Sequence, residues 1–231
     1  MADGGAAREI RFTASPGAGD VSALVMRPPD ARAVLVIGHG AGAGMRHAFM
    51  DAVARRLAAR GVATLRYQFP YMENGRRRPD PRPILFATVR AAVATARARM
   101  PDLPLFAGGK SMGGRMTSMA AAASPLQEVR GIVFLGFPLH PAGRPASDRA
   151  AHLSKVSVPM LFLNGTRDKL AELELLEPVC GDLGSLARLH VVDAADHSFH
   201  VLKRSSRTDD EVLDELADVT AAFVGGTVDG A

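Results

Sequence analysis

The feature that most constrains this chain is a repeated alternation of two hydrophobic periods. Residues 33–38, Ala-Val-Leu-Val-Ile-Gly, are apolar without a break and end on glycine. A strand with no polar side must be covered on both faces, which a parallel sheet between layers of helices provides. Residues 46–60 then carry Phe49, Met50, Val53, Ala54 and Leu57 at helical spacing, with Gly61 as a stop. The alternation recurs, predicting strands at 62–67, 103–107, 131–135, 158–163 and 188–192 and helices at about 83–99, 112–123, 168–180 and 209–224. The last helix opens on Thr208-Asp209-Asp210-Glu211, a capping-box pattern, and places Val212, Leu213, Leu216, Val219 and Phe223 on one face. Ahead of the alternation, 9–14 and 21–26 flank Pro16-Gly17-Ala18-Gly19-Asp20 and read as a hairpin. The expectation is a single α/β domain over 1–231: a mostly parallel, roughly eight-stranded sheet, helices on both faces, and an N-terminal hairpin.

Composition narrows the class. The 231 residues are 47% hydrophobic and 23% charged, close to the globular average, which excludes wholesale disorder and collagen-like repeats. The one cysteine, Cys180, cannot form an internal disulfide and reads as a packed thiol on a helix. The opening residues lack a basic stretch followed by an apolar one, and no run approaches about 18 apolar residues, so neither a signal peptide nor a membrane span is expected. A cytoplasmic location is the corresponding expectation. The net charge of +4 leaves nucleic acid open as a partner without arguing for it. Arg76-Arg77-Arg78 has Tyr67, Phe69 and Tyr71 upstream but falls on a loop after a strand. It reads as a contact for an acidic substrate or a loop anchor, with no nucleic-acid partner. Oligomeric state leaves no mark in the sequence.

In parallel sheets chemistry gathers just beyond the carboxyl ends of the strands. After 103–107 comes Gly109-Lys110-Ser111-Met112-Gly113, a G-x-S-x-G between a buried strand and an Ala-rich helix. Small residues flanking Ser111 suit a sharp strand-to-helix turn, and the helix supplies its N-terminal dipole and the Met112 N–H. A phosphate-binding loop ending in Gly109-Lys110-Ser111 would need a glycine where Pro104 stands. A nucleophilic serine needs a base, and the base an orienting acid. Of seven histidines, His197 follows the last strand directly and His200 is its near rival; His190 lies within a strand, and His47 and His152 fall on helical faces. Asp168 follows the 158–163 strand, giving the order Ser, Asp, His, whereas Asp193 and Asp196 read as turn formers. After 33–38, His39-Gly40-Ala41-Gly42-Ala43-Gly44 is a glycine-rich turn whose N–H groups can face a developing oxyanion.

With the His39-Gly40 turn, the Gly109–Gly113 elbow, Asp168 and His197 in this order, the chain resembles the α/β-hydrolase superfamily over nearly its whole length. Within it, the chain is similar to the small dienelactone-hydrolase-like group. It is also similar to a branch related to a subunit of an animal chromatin acetyltransferase complex, on Phe69–Arg77, Pro79-Asp80 and Gly109–Arg115. Dienelactone hydrolases proper carry cysteine where this chain has Ser111, and in the chromatin-associated relatives hydrolysis is not the established role. The resemblance implies acyl transfer on a small-molecule ester: Ser111 as nucleophile, His197 as base, Asp168 orienting it, and Met112 and Ala41 N–H groups as oxyanion hole. It implies substrate contacts at His39, Gly40, Arg76 and Arg77, with no metal and no cofactor. The alternative is a catalytically silent hydrolase fold used for binding or scaffolding. The 136–157 link is short, so no large cap and an open, shallow site are expected.

Overall fold

The structure, a computed structural model, describes residues 6–229. Strands β1 (Arg8–Ser15) and β2 (Gly19–Met26) form the expected hairpin, and β3 (Ala33–Gly38) and β4 (Val62–Tyr67) continue the sheet. The remaining strands are β5 (Leu105–Lys110), β6 (Val129–Leu135), β7 (Met160–Gly165) and β8 (Ala187–Val192). The spatial order is β1-β2-β4-β3-β5-β6-β7-β8, antiparallel through β1, β2 and β4 and parallel from β4 to β8. The reversal between β4 and β5 around β3 is a topological switch point, where a crevice opens beyond the strand ends.

Helices α1 (Ala48–Ala58), α2 (Pro70–Glu73), α3 (Arg82–Arg99), α4 (Met112–Ala123), α5 (Leu173–Leu183) and α6 (Asp209–Asp229) cover both faces. Because side chains alternate along a strand, Val34 and Val36 of β3 join the core under α3, α4 and α5, while Leu35 and Ile37 join the core under α1 and α6. The capping box closes as expected: Thr208 Oγ1 accepts from the Glu211 N–H at 3.2 Å, and Glu211 Oε2 accepts from the Thr208 N–H at 2.7 Å. Cys180 is buried in α5, and burial with nearby Glu177 pushes its thiol up to about 11, so it stays protonated. Helix α5 begins at Leu173 rather than 168, because residues 166–172 form a loop. Between β6 and β7 the described chain inserts one 3-10 helix, Asp148–Lys155, and no larger cap.

Helix α4 is seated unusually close to the sheet. A β-carbon on Gly113 would lie 2.2 Å from the Gly38 carbonyl oxygen at the end of β3. Gly113→Ala improves helix propensity by at most about 1 kcal/mol, but a backbone oxygen at that distance cannot move aside. The overpacking dominates, and the substitution should cost at least about 2 kcal/mol in urea denaturation.

Candidate active site

Only Ser111 separates the end of β5 from the start of α4. It adopts φ 50°, ψ −113°, a left-handed conformation that costs a residue with a β-carbon about 1–3 kcal/mol. Its N–H is fixed to the Leu135 carbonyl at 3.1 Å. The turn has no slack to wrap a phosphate, in keeping with the missing glycine at Pro104. Met112 opens α4, so its N–H has no partner within the helix.

The loops after β7 and β8 bring Asp168 and His197 to this turn. Ser111 Oγ is 2.9 Å from His197 Nε2, and His197 Nδ1 is 2.8 Å from Asp168 Oδ2. A carboxylate only accepts, so Nδ1 carries the proton and Nε2 is left to accept from the serine hydroxyl. The Asp168 side chain is fully buried and its second oxygen accepts the Leu170 N–H at 2.8 Å; the His197 side chain is 20% exposed. The two loops are stitched together: the Arg167 N–H donates to the Ala195 carbonyl at 2.9 Å, the Arg167 guanidinium to Ala194 O at 2.9 Å, and the Ala194 N–H to Thr166 Oγ1 at 2.9 Å. They pass so closely that a β-carbon on Gly165 would meet the Ala195 oxygen at 2.2 Å. Asp196, read as a turn former, is one: its Oδ1 accepts from the Ser198 and His200 N–H groups, at 2.8 and 3.0 Å.

The turn after β3 passes over the serine. A β-carbon on Gly40 would lie 3.9 Å from Ser111 Cβ. His39 does not reach the cavity. Its ring is fully buried, with Nδ1 2.7 Å from the Gly40 carbonyl and Nε2 accepting the Phe69 N–H at 3.1 Å. It braces the turn from behind rather than touching a substrate, and burial drives its pKa down to about 4. Tyr71 donates its hydroxyl to the Ala41 carbonyl at 2.7 Å, fixing the peptide planes of the same turn. A cavity of about 230 Å³ lies between Gly40–Ala43, His47, Phe49, Lys110, Ser111 and His197. Phe49 and Phe199 stack at 5.8 Å beside it.

Two groups at the site were not anticipated. Lys110 Nζ donates to the His197 carbonyl at 2.7 Å and lies 5.6 Å above the Phe199 ring, with burial lowering its pKa to about 8. Asn164 donates to the Ala171 carbonyl at 2.9 Å and braces the Asp168 loop from inside. Lys110 could have been suspected from its place beside Ser111; Asn164 had no signal beyond being polar at a strand end. Arg76 and Arg77 do not line the serine cavity. Both are exposed on a separate open groove of about 830 Å³ formed by residues 76–82, and Arg76 is paired with Asp80 at 2.7 Å. His200 is 57% exposed and bonded to Asp209, His190 is bonded to Glu215, and His47 caps α1. Among the described residues no group of three or more His, Cys, Asp or Glu could hold a metal ion, and no helix is long and apolar enough to cross a membrane.

Residues 31–225 match the family described as alpha/beta hydrolase domain. The chain belongs to the α/β-hydrolase family. This hydrolase-fold chain is 32% identical over 198 residues to a Mycobacterium tuberculosis protein named provisionally as a phosphoribosyl transferase; the match covers 83% of this chain and 42% of that relative. It is similar to a dienelactone hydrolase from Anabaena variabilis (TM-score 0.73, 20% identity, 94% of this chain and 96% of the other). It is equally similar to a lidless α/β serine hydrolase from Xanthomonas campestris (TM-score 0.73, 22% identity, 94% of each chain). At these identities the two structures establish the fold.

The buried His39 makes the brace behind the Gly40–Ala43 turn acid-sensitive. The folded pKa of about 4 lies below the ordinary 6.5, so between these values the unfolded chain takes up a proton that the folded chain refuses. Stability from this group is intact above pH 6.5 and falls as the pH drops toward 4, by about 3 kcal/mol in all. His39→Gln keeps an acceptor for the Phe69 N–H but cannot titrate. Denaturation from pH 7 to 4 should show a shallower decline for the variant; parallel declines would refute the assignment.

Proposed function

We propose that the protein is a serine hydrolase that cleaves small carboxylic esters or related acyl compounds through an acyl-enzyme. The observation that carries this reading is the continuous chain from Ser111 Oγ through His197 to the buried Asp168, with both links at hydrogen-bond length. His197 Nε2 takes the Ser111 proton as Oγ attacks the acyl carbon, and the resulting imidazolium is stabilised by Asp168. The Met112 and Ala41 N–H groups receive the oxyanion, each worth roughly 3 kcal/mol in such sites. The imidazolium then protonates the leaving alcohol, and water, deprotonated by the same nitrogen, releases the acid. The cavity of about 230 Å³ is below the usual range for drug-sized ligands, which favours a short acyl group. Gly40 borders that acyl group, while Arg76 and Arg77 line a separate groove and are given no part in holding it. The match to the mycobacterial relative covers less than half of that protein, so phosphoribosyl transfer is not carried over to this segment.

Ser111→Ala should lower kcat on p-nitrophenyl acetate by at least about 10³-fold, toward the 10⁶ that loss of a nucleophile can cost. A fluorophosphonate should label the wild type and not the variant. Labelling of neither, with no Ser111-dependent turnover, would leave a hydrolase fold used for binding.

A further inference from the structure

His140 lies outside the serine cavity and its side chain is fully buried. Both of its ring nitrogens meet oxygens: Nδ1 is 2.9 Å from the Pro141 carbonyl, and Nε2 is 2.5 Å from Glu172 Oε2. Carbonyl and carboxylate oxygens only accept, so the ring donates from both nitrogens. Glu172 stands at the N-cap of α5, a position from which an acidic side chain ordinarily accepts N–H groups of the first turn. It makes no such bond and reaches to His140 instead. A buried ion pair adds little stability over an apolar pair of the same size, so stability alone does not account for a cap forgone.

What the pair holds is the loop that carries Asp168. Asp168 Oδ1 accepts the Leu170 N–H at 2.8 Å, which leaves Oδ2 for His197 Nδ1. The Leu170 carbonyl in turn accepts the Leu139 N–H at 2.8 Å and the His140 N–H at 3.4 Å. One residue on, the Ala171 carbonyl is held by Asn164, and the next residue is Glu172. The loop is therefore bonded at three successive residues, two of them to the segment just beyond β6. The same segment meets His197 at its other end. A β-carbon on Gly136 would lie 3.4 Å from His197 Nδ1, the atom that faces Asp168. Residues 136–140 thus reach both partners of the Asp168–His197 bond.

We propose that His140 and Glu172 are a positioning pair for Asp168: their bond fixes residues 170–172 and, through the Leu170 N–H, aims Asp168 Oδ2 at His197 Nδ1. The effect on turnover rests on the hydrolase reading; the effect on the Asp168–His197 bond does not. The competing role, a tether that only stabilises the fold, separates from this one at Glu172. Glu172→Asp is a methylene shorter and draws the carboxylate back from His140, but aspartate is a favoured N-cap and offsets part of the lost bond at α5. Glu172→Gln keeps the link, because its amide can donate to Nε2 while Nδ1 keeps the proton that the Pro141 carbonyl accepts.

The test uses the full chain as wild type, Glu172→Asp and Glu172→Gln, with Glu172→Ser, which also caps a helix, replacing the aspartate variant if that one does not fold. Circular dichroism gives each melting temperature, and turnover of p-nitrophenyl acetate is measured well below it, per folded molecule. Proton NMR follows the downfield resonance of the His197 Nδ1–H, assigned by its loss in His197→Gln. Glu172→Asp should lower kcat by at least about tenfold, within the ~10²-fold that a displacement of about 1 Å can cost, and leave KM within about twofold. Its His197 resonance should shift or broaden. Glu172→Gln should keep most of the wild-type kcat and an unmoved resonance. A lower melting temperature in Glu172→Asp with kcat and resonance both unchanged would overturn the inference and leave a tether. Loss of kcat in Glu172→Gln equal to that in Glu172→Asp would also overturn it, since the link survives in one and not in the other. If the wild type hydrolyses no ester, the hydrolase reading falls, and the resonance alone decides: displaced in Glu172→Asp, the positioning stands; unmoved, it does not.

Discussion

The close passage of the β5–α4 turn over the end of β3 is the constraint on which the site depends. With Gly113 against the Gly38 oxygen, α4 can start within one residue of β5, and this forces Ser111 into its left-handed conformation. A longer turn would relax the serine and lift α4 from the sheet. The same contact fixes where the next turn must run, because Gly38 leads straight into His39 and Gly40. The buried His39 ring then holds Phe69, and through the adjoining segment Tyr71 reaches the Ala41 carbonyl. One backbone approach thus sets the positions of Ser111, the start of α4 and both sides of the Gly40–Ala43 turn.

The opposite wall is built by a different device. The Asp168 and His197 loops bury Ala171, Ala195 and Phe199 in the core and are bonded to one another through the Arg167 N–H, the Arg167 guanidinium and the Thr166 hydroxyl. Ala194 and Phe199, which flank His197, both have positive φ, as Ser111 does. Non-glycine residues rarely tolerate this, at about 1–3 kcal/mol each, and they persist where surrounding bonds over-determine them. The carbonyl of His197 is held by Lys110, the residue beside Ser111, so His197 is tied to the elbow by its main chain as well as by its imidazole.

The sequence was legible where one local signal sufficed. The uninterrupted apolar run of β3 required two covering layers, and the Ser, Asp, His order at successive strand ends pointed to three residues that the fold does bring together. Gly108 and Gly109 have poor strand propensity, so the sequence predicts that β5 ends at Ala107; pairing with β3 carries it to Gly109 and pairing with β6 to Lys110. Leu170, Leu173 and Leu176 keep a helical spacing that predicts a helix from 168, but the Asp168 carboxylate captures the Leu170 N–H and holds the chain in a loop up to Leu173. The arginines were legible only as the local run 76–78. That Arg115 and Arg149 come from elements packed against each other depends on the contact of α4 with the 3-10 helix, which no spacing encodes.

The electrostatics of the elbow argue for what it receives. The start of a helix is its positive end, where acidic residues are favoured and basic ones disfavoured. This helix start is flanked by Lys110 and Arg115, and the two have pKa values lowered to about 8 and about 10. Neither lowering comes from a stabilising contact. In both, burial is the largest cause; for Lys110 the bond to the His197 carbonyl and the nearby Asp168 and Asp196 offset part of that cost, whereas no carboxylate offsets it for Arg115. Negative charge arriving at the turn relieves that cost, and a tetrahedral oxyanion forming on the substrate is such a charge. The basic residues that weaken the resting helix are therefore placed where they favour a more negative state of the occupied site.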